Sequence, residues 1–365
     1  MQTLKILPNR SADCAAQQVG GTASSLDANG SPPVYSGKDE EEGAAVPDIV
    51  NLDAMIPRED FLATEVAGAA GQKGKAEASR TDLMPGEIFY GTLRKPDFQR
   101  ETAAWTPEAV HDFIKAFVEG DLIPAVICWQ SQARLSFVID GAHRLSALIA
   151  WLRDDYGDGE LSREFYENKI TDEQKRIADK TRTLIKKGIG PWADYAAEAR
   201  KPGSNPAMTL RVRSIANSKI PLLWVQGEDA TKAEQAFLTI NRAAVQIDPT
   251  ELKILSARFK PNAIVARAIV RNAGGTKYWD KLSIPGQKEV ETAAGSIFAS
   301  LYSPPLKSPV RSQDLPIAGF SYGTQTLPLI FDLVNIANRL PVTDSSKFKK
   351  GKPATPETPK EDEVL

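Results

Sequence analysis

The feature that most constrains this chain is a change of hydrophobic period at Asp140-Gly141. Upstream, Leu135-Ser136-Phe137-Val138-Ile139 is a short apolar run with branched and aromatic residues, the pattern of a strand. Downstream, Leu145, Leu148, Ile149 and Leu152 recur at helical spacing. The chain must therefore pass from strand to helix within Asp140-Gly141-Ala142-His143-Arg144. Such a turn places unpaired N–H groups and a partial positive charge at the opening of the helix.

The flanking sequence supplies the rest of an α/β layer. Glu87 to Leu93 carries aromatic and branched residues suited to a strand, and a polar loop with Phe98-Gln99-Arg100 follows. Thr106-Pro107 opens a helix with Val110, Phe113, Ile114 and Phe117 as its apolar stripe and Gly120 as its stop. Pro124 to Trp129 is a second strand. Ser162 to Lys187 is charged and predicts one or two surface helices, followed by a Gly/Pro-punctuated passage through Lys201-Pro202-Gly203. Ile220 to Val225 reads as a buried strand, with Pro221 favouring its start or a sheet edge.

Thr231 with Glu234, and Asp248-Pro249 with Glu251, are capping patterns for two helices, the first ending around Ile240-Asn241-Arg242-Ala243. Pro261 opens a further helix, with Ile264, Val265, Ala268 and Ile269 inward and Arg267 and Arg271 outward. A last helix covers Leu327 to Leu340, and no internal repeat is visible. The expected fold is mixed α/β with a small sheet, followed by a helical part from about Ala257. Residues 1–47 and 343–365 lack apolar periodicity and read as disordered extensions; 48–256 form the α/β domain and 257–342 the helical region. Within the domain, the stretch from Ile49 to Arg80 offers Leu52, Ile56, Phe61 and Leu62 as a short element against the core.

Composition narrows the function classes. Of 365 residues, 45 are Lys or Arg and 47 Asp or Glu, so the molecule has no overall field for a polyanion and any nucleic-acid contact needs a local patch. Two cysteines, Cys14 and Cys128, exclude a disulfide framework and a cysteine-rich metal site. No apolar stretch approaches the ~20 residues of a membrane span, and no signal segment opens the chain; a bacterial or phage cytoplasm is the expected setting. The two histidines, His111 and His143, cannot assemble a His-rich nuclease centre. No GxxxxGK[ST] loop is present.

The residues of the turn have two readings. Gly141 lets backbone approach a phosphate, Arg144 offers a planar fork for its oxygens, His143 can donate or shuttle a proton, and Asp140 can hold a metal, orient Arg144 or cap the helix. Equally, Asp140 caps, Gly141 turns, and His143 and Arg144 decorate an ordinary junction. Asn241 can be a helix C-cap, with Arg242 satisfying terminal carbonyls. Arg258, Arg267 and Arg271, with Lys253 and Lys260, are the most basic local region: a solvated helix face or a phosphate-backbone contact for DNA. Trp105, Trp129, Trp151 and Trp224 suit packing, and His111 falls on the polar side of its helix.

Val138 to Leu148 resembles the "DGQHR" or "DGQQRL" box of a group within the ParB/sulfiredoxin-like superfamily. That group includes DndB-type proteins of DNA phosphorothioation and the GmrS half of modification-dependent restriction systems. Pro96-Asp97-Phe98-Gln99-Arg100 with Trp105 is similar to its upstream "QR…W" segment. Phe237-Leu238-Thr239-Ile240-Asn241-Arg242 with Leu252 is similar to its downstream "FxxxN" box. Together the boxes span roughly residues 90 to 255. The resemblance implies a nucleotide pocket lined by Gln99 and Arg100, with Gly141, Asp140, His143 and Arg144 facing phosphates or a metal and Asn241 closing it. Ala142 departs from the glutamine usual in the restriction-linked relatives, and it also excludes the thiolate chemistry of sulfiredoxins, which need cysteine there.

The expected function is a nucleotide-binding protein, with hydrolysis of a nucleoside triphosphate and Mg²⁺ as its fuller form, acting with partner proteins of a DNA-modification or anti-phage defence operon. The alternative is a DNA-binding regulator or adaptor whose core is structural. Nuclease activity from the core is the weakest reading, because no metal-binding carboxylate cluster is visible.

Overall fold

The computed structural model describes residues 47–60, 74–97, 99, 101–203, 205–227, 230–244, 250, 253–254, 257–318 and 326–340, all within the compact unit Val46–Leu365. The expected terminal extensions fall outside the described residues, apart from residue 47.

The fold is mixed α/β. Six strands form one sheet in the order β1-β3-β5-β4-β6-β2: β1 Arg58–Glu59, β2 Glu77–Ser79, β3 Leu93–Pro96, β4 Val126–Gln130, β5 Ser136–Asp140 and β6 Lys219–Trp224. The strands β1, β3 and β5 are mutually parallel, β4 returns antiparallel to β5, and β6 runs parallel to β4. The carboxyl ends of β1, β3 and β5 therefore lie along one rim of the sheet, beside the start of β4.

Alternation along the central strands sorts two layers. Val126, Cys128 and Val138 face the larger apolar core, while Trp129, Phe137 and Ile139 face the opposite side. That larger core is filled from α2 Pro107–Glu119, α3 Ala142–Arg153 and α5 Asp172–Gly188; Ala230, Ala233 and Phe237 of α8 Ala230–Ala244 cover the other face. Cys128 is fully buried, and burial pushes its thiol up to about 12, which leaves it inert.

The helix at Thr106 forms as expected: the threonine side chain accepts from Ala109 N at 3.2 Å, and Gly120 closes the helix at φ 82°. The strand expected at Glu87 is a correction. Residues Ile88–Thr92 are a short helix, α1, and the strand begins at Leu93. Ile88 is 86 % exposed, while Tyr90 turns inward to donate to Met55 O at 3.1 Å, so tertiary contacts override strand propensity. The strand around Pro221 is not an edge: β2 pairs beyond it, with Pro221 opposite Glu77 and near the strand's start.

The charged stretch yields α4 Glu160–Phe165 and α5. Two further helices, α6 Trp192–Arg200 and α7 Pro206–Asn217, flank the Gly/Pro-punctuated passage at Lys201-Pro202-Gly203. Pro191 and Asn205 are helix starts there, the asparagine accepting from Ala207 N and Met208 N, so punctuation marked helix boundaries rather than loop. His111, on the polar side of its helix, is half-buried. It lies between α2 and α5, so close to Gly188 that a β-carbon there would sit 2.1 Å from its ring.

The C-terminal part is helical: α9 Pro261–Val270, α10 Ile284–Tyr302 and α11 Leu327–Ala337 enclose a second apolar cluster with Trp279, Phe298, Ile330 and Phe331. The 19-residue α10 was not foreseen, because its exposed face carries Ile284 and Ile297 and blurs the amphipathic stripe.

Asp53 ties these parts together. Wholly buried, it accepts from Lys95 Nζ at 2.6 Å, Arg58 Nη2 at 2.7 Å and Thr102 N at 3.0 Å. Lys95 also donates to Asp53 O and Thr102 Oγ1. Burial alone pushes the Asp53 carboxyl up, but the charges of Arg58, Lys95 and Arg271 outweigh it and hold the group far below the carboxylate range. A folded pKa depressed in this way adds stability that is present above the unfolded value and lost as pH falls. Asp53→Ala, which strands two buried cations, is expected to lower unfolding free energy by about 3–5 kcal/mol at neutral pH. Urea midpoints should show this deficit shrinking below about pH 4, where the wild-type carboxyl also loses its advantage; a constant deficit down to acid would place the effect elsewhere.

Candidate functional site at the carboxyl ends of three parallel strands

Gly141 occupies the turn at φ 93°, a conformation that disfavours any β-carbon, and a β-carbon there would also lie 2.8 Å from Val126 Cγ2. Helix α3 opens immediately afterwards. Its first turn has no side-chain cap, in contrast to α2, α5 and α10, where Thr106, Thr171 and Ser283 accept backbone N–H groups. An uncapped helix opening at a strand's carboxyl end is the geometry that receives an anion in open α/β sheets.

The upstream loop folds onto the same rim. Gln99 Nε2 lies 3.4 Å from Ile139 O, and its Oε1 is buried with no hydrogen-bond partner among the described residues. Arg58 Nη1 donates to the carbonyl of Gln99, holding that loop to β1. Gln99, Asp140, Gly141 and His143 are thus brought together from segments far apart in sequence. Arg100 and Phe98 lie outside the described residues, as does the side chain of Asn241, whose backbone belongs to α8.

Arg144 is heavily engaged. It donates to Pro124 O at 2.8 Å, Ala125 O at 2.6 Å and Asp140 Oδ2 at 2.6 Å, and it packs against Gly141. These bonds fasten the approach to β4 onto the turn, so Arg144 positions Asp140 and the helix opening and has few donors left for phosphate. His143 stacks on Trp105, with ring centroids 5.6 Å apart and planes at 26°, and Trp105 in turn meets Phe113 edge-on. The histidine ring is half-buried against Trp105, in the loop before α2. Ala142 is buried.

Asp140 is a partly exposed carboxylate, salt-bridged to Arg144. Among the described residues no group of three or more His, Cys, Asp or Glu side chains converges. A lone carboxylate fits Mg²⁺ when phosphates and water supply the remaining ligands, which is the ordinary arrangement for nucleotide-bound magnesium.

The expected basic face is corrected. Arg267 and Arg271 point inward, their side chains each 6 % exposed: Arg271 donates to Glu101 and lies 3.9 Å from Asp53, while Arg267 lies over the Tyr278 ring at 4.4 Å. Arg258 pairs with Glu234 at 3.1 Å and Asp97 at 3.7 Å. Burial and internal carboxylates take these arginines out of reach of a DNA backbone. The residues that sequence reasoning missed are Asp53, Arg58, Lys95, Glu101 and Tyr278. The signal was Asp53 itself, a charge inside the apolar stretch from Leu52 to Ile56.

Substituting Gly141 by alanine should lower unfolding free energy by about 2–3 kcal/mol through the left-handed backbone and the contact with Val126. A urea midpoint within error of wild type would show that the turn is not held as described.

Comparison with protein families finds that residues 85–259 match the model of the GmrSD restriction endonuclease, N-terminal domain. The matched stretch runs from just before α1 to just before α9, and so takes in both rim loops and α8. No curated protein matches the chain. No solved structure matches it either.

Proposed function

We propose that this chain is the nucleotide-binding component of a restriction-type phage-defence system, holding the phosphates of a nucleoside triphosphate at the opening of α3. The observation that carries the reading is the convergence of the Gln99 loop and the Asp140–Arg144 turn on one rim, within the stretch similar to the GmrSD N-terminal domain. The uncapped N–H groups of α3 would meet phosphate oxygens, with Gly141 permitting close approach. Gln99 would offer its unsatisfied amide oxygen to a ribose or base donor. Arg144 fixes the turn, and His143, held against Trp105, stands in the first turn of α3 to donate a hydrogen bond.

Asp140 is the residue that would hold Mg²⁺, which when bound supplies neutralisation of phosphate charge. The resemblance to a restriction endonuclease domain makes DNA the expected target of the whole system. Contact with it would not run through Arg267 and Arg271, which are internal.

The test is equilibrium binding of ATP, GTP and CTP with Mg²⁺ to wild type, Gln99→Ala and His143→Ala, each first compared by thermal melting. Binding by wild type is expected, weakened about 10- to 100-fold in each variant, the effect of losing one hydrogen bond in a charged site. Absence of binding by wild type, or variants that bind as well as it does, would overturn the proposal.

A further inference from the structure

Apolar surface open to solvent is concentrated in the helical part. Among the described residues, the large apolar side chains well exposed before Phe259 are Ile88, Leu122, Leu210 and Leu223, scattered over separate elements. The others belong to the helices after Phe259 or to the loops between them. Single exposed leucines are ordinary in a monomer, whereas a contiguous group marks a contact surface.

Helix α11 is where they form a group. Ile330, Phe331 and Val334 are buried in the second apolar cluster, while Leu329, Leu333 and Ile336 are 49 %, 38 % and 62 % exposed. The helix is therefore apolar on two faces, the pattern of a helix with neighbours on both sides rather than of a solvated one. The three exposed residues follow one another at spacings of four and three, the seam spacing by which one helix packs along another. The patch continues past the helix. Tyr302 and Thr326 share a hydroxyl-to-hydroxyl bond, and Ala318 N donates to Leu301 O at 3.1 Å, so the end of α10 and the segment with the exposed Leu315 and Ile317 stand at the foot of α11.

The occupant has to match an apolar stripe of that spacing. The residues from Pro341 to Leu365 do not, since their large apolar members are Val342, Phe348, Val364 and Leu365, separated by lysines, prolines and acids. A second copy of α11 does: the stripe is its own complement, and a two-fold axis sets the same patch on both sides. The formal net charge of −2 puts little repulsion between two copies. Area decides how far the contact reaches. The 11 residues of α11 span about 16 Å, and a dimer of standard size draws about 800 Å² from each copy, more than one short stripe supplies. Leu315 and Ile317 are the neighbouring apolar surface that can extend it.

We propose that the Leu329–Leu333–Ile336 stripe, extended by Leu315 and Ile317, is the interface of a two-fold symmetric homodimer. The whole patch lies beyond residue 259, outside the stretch that matches the restriction-endonuclease domain, and the dimer does not depend on the nucleotide reading.

The experiment is sedimentation equilibrium of the full chain at protein concentrations up to about 100 μM. Wild type is compared with Leu333→Glu, Ile317→Glu and, as an exposed site outside the patch, Ile88→Glu. A concentration-dependent dimer is expected for wild type and for Ile88→Glu, with the dissociation constant raised about 30-fold or more by Leu333→Glu and about fivefold or more by Ile317→Glu. Because Leu333 and Ile317 already face water in the single chain, both variants should melt with wild type in dilute solution, where all are monomers. Leu333→Gln, uncharged, keeps the comparison in force if the glutamate variant folds poorly, and should weaken the dimer in the same direction.

A wild type that stays monomeric over the whole range would overturn the proposal and leave the face to a different protein. A dimer that survives substitution at both Leu333 and Ile317 would overturn it as well, since the contact would then lie elsewhere.

Discussion

The structure depends on how one carboxylate is held. The ladder between β1 and β3 consists of two residue pairs, Arg58 with Lys95 and Glu59 with Pro96, too few to set a register by backbone bonding alone. Asp53 supplies what the ladder lacks, since it grips both side chains of the first pair and the backbone N–H of Thr102 at once. A slip of β1 by one residue would turn Arg58 to the other face of the sheet, away from Asp53. The network thus acts as a register device, in which misalignment is penalised more than correct alignment is rewarded.

The rim follows from that register. Because β1, β3 and β5 are parallel, their following loops emerge on the same side, and the loop after β3 can reach across to Ile139 while its carbonyls are held by Arg58. The antiparallel return of β4 brings Pro124 and Ala125 beside Asp140, where Arg144 ties them down. Arg144 is then best understood as the fastening of the turn, which leaves the uncapped backbone N–H groups of α3 as the groups that the proposed phosphate would meet. Backbone groups make a durable choice here, because a helix opening cannot be rotated out of place as a side chain can.

Much of this was legible in sequence. The strand-turn-helix at Asp140, the capped helix at Thr106 and the start of α9 at Pro261 are set by local chemistry, and local chemistry is visible in one dimension. The errors share one cause, which is distance. Ile88 to Thr92 has strand-forming side chains, yet is helical because Tyr90 reaches back to Met55; Arg271 looked like part of an exposed face because its acidic partners, Glu101 and Asp53, stand far upstream. Arg144 looked free for phosphate because nothing in its neighbourhood along the chain announces that two carbonyls before β4 will claim it.

The same argument bears on where the functional unit ends. Apolar packing divides the described residues into a core around the sheet and a second cluster from Ile254 onward, and the family match stops close to that division. Charge does not respect it. Arg271 reaches Glu101 in the loop before α2 and approaches Asp53, and Tyr278 bonds the loop after β3, so the rim of the sheet is completed electrostatically by residues of the helical part. Ion pairs made in a desolvated interior couple strongly and fail together when one member is lost. A fragment ending at residue 259 would keep the apolar core around the sheet, yet leave Asp53 and Glu101 without Arg271; the helices after residue 259 are therefore part of the rim's construction rather than an appendage to it.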